Sequence, residues 1–228
     1  SFHSERCWLE AFQEGFRVDE CKLSLKDWLE RWDKNESQDR LSQVHEKLIN
    51  RYSDTHRHYH NIDHIAACLN EFNEVEHLLQ NPVEVWLAVW FHDVVYDPKA
   101  HDNEEWSVDY AEKALREIIG EVTLENISRL IMATKHYRPA SDHDSKFIQD
   151  IDLTILGGHR DIFDEYEERI RREYSWVPEN RFRKGRADIL SGFIERSTIY
   201  QTKYFRKKYE ETARANLYYS ISKLKKGI

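Results

Sequence analysis

The chain has 228 residues, 40% of them hydrophobic and 33% charged, with a mean hydropathy of −0.80. That length supports one domain with a sizeable core, or a core with a helical extension, and the composition excludes a disordered chain. A formal net charge of −8 argues against a broad nucleic-acid surface; no apolar run approaches the ~20 residues that span a bilayer and no secretory signal opens the chain, so a cytoplasmic protein without a membrane partner is expected.

Seven glycines and four prolines leave little turn chemistry for a many-stranded sheet, so an all-α fold is expected. Residues 1–40 should form N-terminal helices, 41–157 a helical core, and 158–228 a helical extension, all in one domain. Cys7, Cys21 and Cys68 are an odd set without CxxC spacing, which argues against a disulfide framework or a thiolate zinc site. Leu41 to Tyr52 and Ile65 to Leu79 carry apolar residues at helical spacing. Asn81 and Pro82 form a helix start, with Asn81 as N-cap. The helix that follows, through Val85, Trp86, Ala88, Val89, Trp90 and Phe91, is apolar nearly all round and should be the buried centre. It ends on His92 and Asp93, which places two polar groups in the interior.

Asp102 and Glu105 have capping-box spacing ahead of a helix through Ile118. Another helix starts near Thr123 and runs toward His136, with Pro139 as its stop. Phe147 to Leu156 is a short apolar helix containing Asp150 and Asp152. Long charged helices follow over Ile162 to Tyr174, Arg181 to Ile199 and Tyr204 to Leu224, and Gly185 and Gly192 are candidate breaks in the middle one.

Twelve histidines are unevenly placed, with His56, His58, His60 and His64 inside nine residues. His60 and His64 are four apart, which on one helix puts them on the same face. His92 and Asp93 add an imidazole and a carboxylate, and Asp152 adds a carboxylate beside Ile151, Leu153 and Ile155. A lone histidine at the end of a buried helix is ordinarily a hydrogen-bonded core residue. Two carboxylates in apolar surroundings, however, need partners or a metal. Two imidazoles and two carboxylates suit a divalent ion (Zn, Mn, Fe, Co, Ni or, more weakly, Mg). Asp93 could bridge a second ion, with His136 the nearest extra ligand candidate, so one or two ions are open. Asp150 competes with Asp152 for the last ligand position.

The runs Tyr59-His60-Asn61-Ile62-Asp63-His64-Ile65, Trp90-Phe91-His92-Asp93 and Asp150-Ile151-Asp152-Leu153 resemble the HD superfamily, and more narrowly its predicted metal-dependent phosphohydrolases. The resemblance runs on through Val95-Tyr96-Asp97, Asp102-Asn103-Glu104 and Ile170-Arg171-Arg172-Glu173-Tyr174, and covers most of the chain from about Tyr52. It implies a helical bundle in which His64, His92, Asp93 and Asp152 hold a metal that activates water against a phosphate ester or anhydride of a small metabolite, with nucleotides favoured. The Tyr59-His60-Asn61…His64 run is also similar to the cyclic nucleotide phosphodiesterases, which implies that His60 is the general acid. By the same resemblance Arg57 and Asn61 would touch substrate or fix His60, and Arg171 would meet the phosphate. Glu104 or Asp97 would orient the attacking water, although Glu104 also suits the positive end of its helix without any catalytic role. Other members of the superfamily are di-iron oxygenases, a reading that His136 as a sixth protein ligand would favour; a non-catalytic metal- and nucleotide-binding sensor is the third reading. A homodimer is left open.

Overall fold

The computed structural model describes residues 23–32, 36–136 and 139–227. All regular structure among them is helical, in agreement with the expected all-α class. The α-helices are α1 (Leu25–Glu30), α2 (Gln38–Tyr52), α3 (Ile62–Val75), α4 (Pro82–Phe91), α5 (Asn103–Leu115), α6 (Glu121–Ala133), α7 (His143–Asp152), α8 (Arg160–Glu173), α9 (Glu179–Ile194) and α10 (Lys203–Lys226), with short 3-10 segments at Glu76–Leu78 and Leu153–Gly157. Of the N-terminal helices expected over residues 1–40, the described part holds α1 and the start of α2; residues 1–22 and 33–35, with Cys7 and Cys21, lie outside the described residues.

Helix α4 is the centre. Every residue from Val85 to Phe91 is buried, and the helix packs against α3, α5, α6 and α7. No polar face exists to turn toward water, so neighbours on all sides are the only stable arrangement. Its start departs from expectation. The Asn81 side chain makes no cap bond. The buried Asp144 carboxylate from α7 accepts the amides of Gln80 (2.9 Å) and Asn81 (2.8 Å) instead, a negative charge at the positive end of the helix. Asp102 likewise does not cap α5; its carboxylate accepts the Trp106 indole N–H at 3.0 Å.

Gly185 and Gly192 do not break α9, which runs through both to Ile194. Nothing lies within 4 Å of where a Cβ would sit at either, so they affect only helix propensity. The turn after α9 is clamped by α10. The Arg214 guanidinium donates to the carbonyls of Ile194, Arg196 and Ser197, and the Glu210 carboxylate accepts the amides of Ile199 and Tyr200.

The same C-terminal helices grip the end of α7. Asn216 donates to the carbonyls of Leu156 and Gly158, both at 2.9 Å, and the Tyr200 hydroxyl donates to that of Leu153 at 3.0 Å. Contact there is so close that a Cβ on Gly157 would stand 2.5 Å from Tyr209 Cβ. One hydrophobic cluster runs from Trp28 to Leu217, so the helices of 158–228 share a core with those of 41–157. Among the described residues no helix is long and apolar enough to cross a membrane.

Candidate metal centre

Three helix ends converge on one point. The Asn61 side chain caps α3, accepting the amides of Asp63 (3.0 Å) and His64 (3.4 Å), and so fixes the turn that carries His64. His92 closes α4, and its Nδ1–H donates to the Val89 carbonyl at 2.9 Å. That bond leaves the Nε2 lone pair of the neutral ring facing inward. Asp93 follows directly, and Asp152 is the last residue of α7.

His64 Nε2 lies 3.1 Å from His92 Nε2 and 3.2 Å from Asp152 Oδ1, which is 3.5 Å from His92 Nε2. Asp93 Oδ2 is 3.2 Å from His92 Nε2 and 3.6 Å from His64 Nε2. Ligands about 2.0–2.2 Å from a single ion stand about 2.8–3.6 Å from their neighbours in octahedral or tetrahedral arrangements, so His64, His92 and Asp152 already have the spacing a cation requires, while Asp93 stands beside the two imidazoles but outside that group. His64, His92 and Asp152 form a group able to hold a metal ion, with all three donor atoms within 4.8 Å of one another. The imidazole side chains are each 3% exposed and the carboxylates of Asp93 and Asp152 15% and 18%, so the centre opens to solvent on its carboxylate side.

The field there favours positive charge. Burial alone would raise the pKa of Asp93, yet His92, with help from His60 and His64, holds it below the ordinary carboxylate value. Burial likewise opposes ionisation of Asp152, and hydrogen bonds from His136, His64 and His92 more than offset it. Burial would lower His92, but the two aspartates raise it well above an ordinary histidine. The carboxylates are therefore ionised at neutral pH, and the field that holds a proton on His92 would equally hold a divalent cation.

His60 does not lie on the helix with His64. Asn61 takes the N-cap, so α3 begins at Ile62 and His60 precedes it in a bend, where the Asn61 amide donates back to the Tyr59 carbonyl. Its ring is 6.0 Å from that of His64, centroid to centroid, and stacks on Tyr96 at 4.0 Å. Its Nδ1 lies 2.7 Å from the buried Glu173 carboxylate on α8, which also accepts the amides of Tyr59 (2.8 Å) and His60 (3.0 Å). Burial would lower the His60 pKa; Glu173, with Asp93 and Asp152, raises it above the usual value. Burial opposes ionisation of Glu173 too, but His60 and the two amides bring its pKa down to about 2.

The other residues singled out in the sequence are placed as follows. Arg57 is buried and donates to the carbonyls of His60 (3.0 Å), Asp93 (2.6 Å) and Val94 (2.9 Å), so it ties the His60 turn to the His92–Asp93 turn. Asp97 is exposed and its carboxylate accepts the Lys99 amide at 2.9 Å. Glu104 pairs with Lys135 at 3.7 Å, and burial raises its pKa, with a smaller push from Asp93. Arg171 pairs with Glu179 at 2.8 Å and donates to the carbonyls of Tyr174 and Val177, which commits it to the turn between α8 and α9. His136 Nε2 lies 2.7 Å from Asp152 Oδ2. Asp150 turns the other way, accepting the amides of Gln201 (2.8 Å) and Thr202 (2.7 Å), and burial raises its pKa to about 6.

Sequence reasoning missed Glu173 and the stack of His60 on Tyr96. One signal was present: Phe163, Tyr166, Ile170 and Glu173 follow helical spacing, so an acid occupies the apolar stripe of α8. Compared with family models, curated proteins and solved structures, the chain matches none.

Proposed function

We propose that this chain is a metal-dependent phosphohydrolase of the HD type, cleaving a phosphate ester or anhydride of a small metabolite, with nucleotides the first class to test. The observation that carries the proposal is the pairing of two devices. An imidazole held above its ordinary pKa by Glu173 stands beside a mixed imidazole–carboxylate cluster whose field favours a cation. Hydrolysis at phosphorus uses both, a cation at the phosphoryl oxygens and an acid at the leaving oxygen.

His64, His92, Asp93 and Asp152 would hold the ion. When bound, it would polarise a phosphoryl oxygen and lower the pKa of water. Glu173 accepts the Nδ1 proton of His60, which leaves Nε2 to carry a proton to the leaving oxygen. Tyr96 keeps the ring in its plane by stacking, and Arg57 holds the backbone on both sides of the gap. Of the two acids named for orienting water, Glu104 has its pKa raised by burial and feels the charge of Asp93, whereas the Asp97 carboxylate accepts an amide of its own turn.

The test is hydrolysis of a panel of nucleotides, cyclic nucleotides and sugar phosphates, with Mn2+, Mg2+, Co2+ or Zn2+ added to wild type and to Asp152→Ala. Metal-stimulated phosphate release by wild type and its loss in the variant are expected. No metal-dependent difference across the panel would sink the reading. Iron content with oxygen-dependent turnover would replace it by the oxygenase reading.

A further inference from the structure

His136 has the one left-handed backbone among the described non-glycine residues, at φ 54°. An L side chain rarely adopts that conformation unless its surroundings enforce it, and such positions cluster where geometry serves a site. Two contacts enforce it here. The His136 carbonyl accepts Arg196 Nη2 at 2.8 Å, from the turn just after α9, and His136 Nε2 lies 2.7 Å from Asp152 Oδ2. Arg196 is itself anchored, its guanidinium over the Phe193 ring and its carbonyl held by Arg214.

The two oxygens of Asp152 have separate neighbours. Oδ1 faces His64 and His92, whereas Oδ2 meets His136. The other ring nitrogen of His136, Nδ1, is buried without a hydrogen-bond partner. His136 stands outside the group formed by His64, His92 and Asp152, whose donor atoms all lie within 4.8 Å of one another. A histidine N–H on the outer oxygen of a ligating carboxylate is the arrangement that orients a ligand without joining the shell.

We propose that His136 is a positioning residue for Asp152 and not a metal ligand, that Arg196 locks it in its left-handed conformation, and that the centre takes one ion per chain. The inference rests on the metal-centre reading above. It also gives the C-terminal helices a task, since the residue that sets the Asp152 rotamer is held from the α9–α10 turn.

The experiment titrates Mn2+ alone into the full chain, with stoichiometry from the free-ion paramagnetic resonance signal and affinity from calorimetry. Wild type should bind one ion. His136→Gly, which relieves the backbone conformation while deleting the imidazole, should still bind one, about 10- to 100-fold more weakly. His136→Asn, which tolerates the left-handed backbone and keeps an N–H donor, should recover part of the lost affinity, a rescue that a merely structural role would not predict. Arg196→Met, which removes the donor to the His136 carbonyl together with the guanidinium over Phe193, should weaken binding in the same direction and provides the answer if the glycine variant does not fold. Two ions in wild type and one in His136→Gly would make His136 a ligand and overturn the inference while leaving the metal centre intact. Unchanged affinity in the variants would overturn it as well. No binding by wild type would overturn the metal centre itself, and the inference with it.

Discussion

The Glu173 carboxylate holds the His60 imidazole at 2.7 Å across 113 positions of sequence, and the same acid accepts the amides of Tyr59 and His60. Its side chain is 0% exposed. A buried charge of this kind persists only because three donors converge on it. The contact joins the bend before α3 to the end of α8.

If His60 protonates the leaving group, Glu173→Gln should lower turnover by about 10- to 100-fold on an alkyl phosphate ester, part of the 10²–10⁴ that general acid catalysis supplies. A nitrophenyl ester, whose leaving group needs no proton, should lose far less. Equal losses on both substrates would show that Glu173 serves only the fold.

The pH dependence has a definite sign. Glu173 raises the His60 pKa, so the alkaline limb of kcat should lie above the ordinary imidazole value of about 6.5 in wild type and move to lower pH in Glu173→Gln. Stability follows the same pair. Glu173 stabilises the fold above the ordinary glutamate value of about 4.3, and the contribution is lost as pH falls toward its folded value of about 2. His60 contributes below about 6.5, and that contribution is lost as pH rises through its raised value. Urea unfolding of wild type and Glu173→Gln should therefore differ most near pH 5–6, and less at pH 3 and pH 9.

Arg57→Met should destabilise by about 2–4 kcal/mol, because carbonyls of His60, Asp93 and Val94 lose a buried charged donor. Chemical denaturation measures this directly. A variant as stable as wild type with a raised KM would return Arg57 to the substrate-binding role that the resemblance implied.

Asp150 and Asp152 should separate cleanly. Asp150→Ala strips two backbone amides of their acceptor and should cost about 2 kcal/mol. Because burial raises the folded pKa of Asp150 to about 6, its stabilising effect shrinks as pH climbs through that value, so the defect should be larger at pH 5 than at pH 8. Mn2+ at 100 times its Kd should add about 2.7 kcal/mol to wild type and to Asp150→Ala alike. Asp152→Ala should gain nothing, and a thermal melt with and without metal distinguishes the two.

Amino-acid order alone specifies the helical class, the buried centre at Val85–Phe91, and the delivery of His92 and Asp93 by the end of that helix. These are properties of apolar period and of residues adjacent in sequence, so a short window carries them. Tertiary structure decided the rest. The spacing of four made His60 and His64 look like neighbours on one helix, yet Asn61 takes the cap and leaves His60 outside it. The resemblance favours Asp152 over Asp150 as the ligand, and the approach of the Gln201 and Thr202 amides on one side, and of His64, His92 and His136 on the other, separates them physically. Arg57, Arg171 and Glu173 were all charged residues near a motif, and their roles depended on which carbonyls, amides and rings the packing brought within 3 Å. A charged side chain takes its function from partners distant in sequence, and no local pattern encodes them.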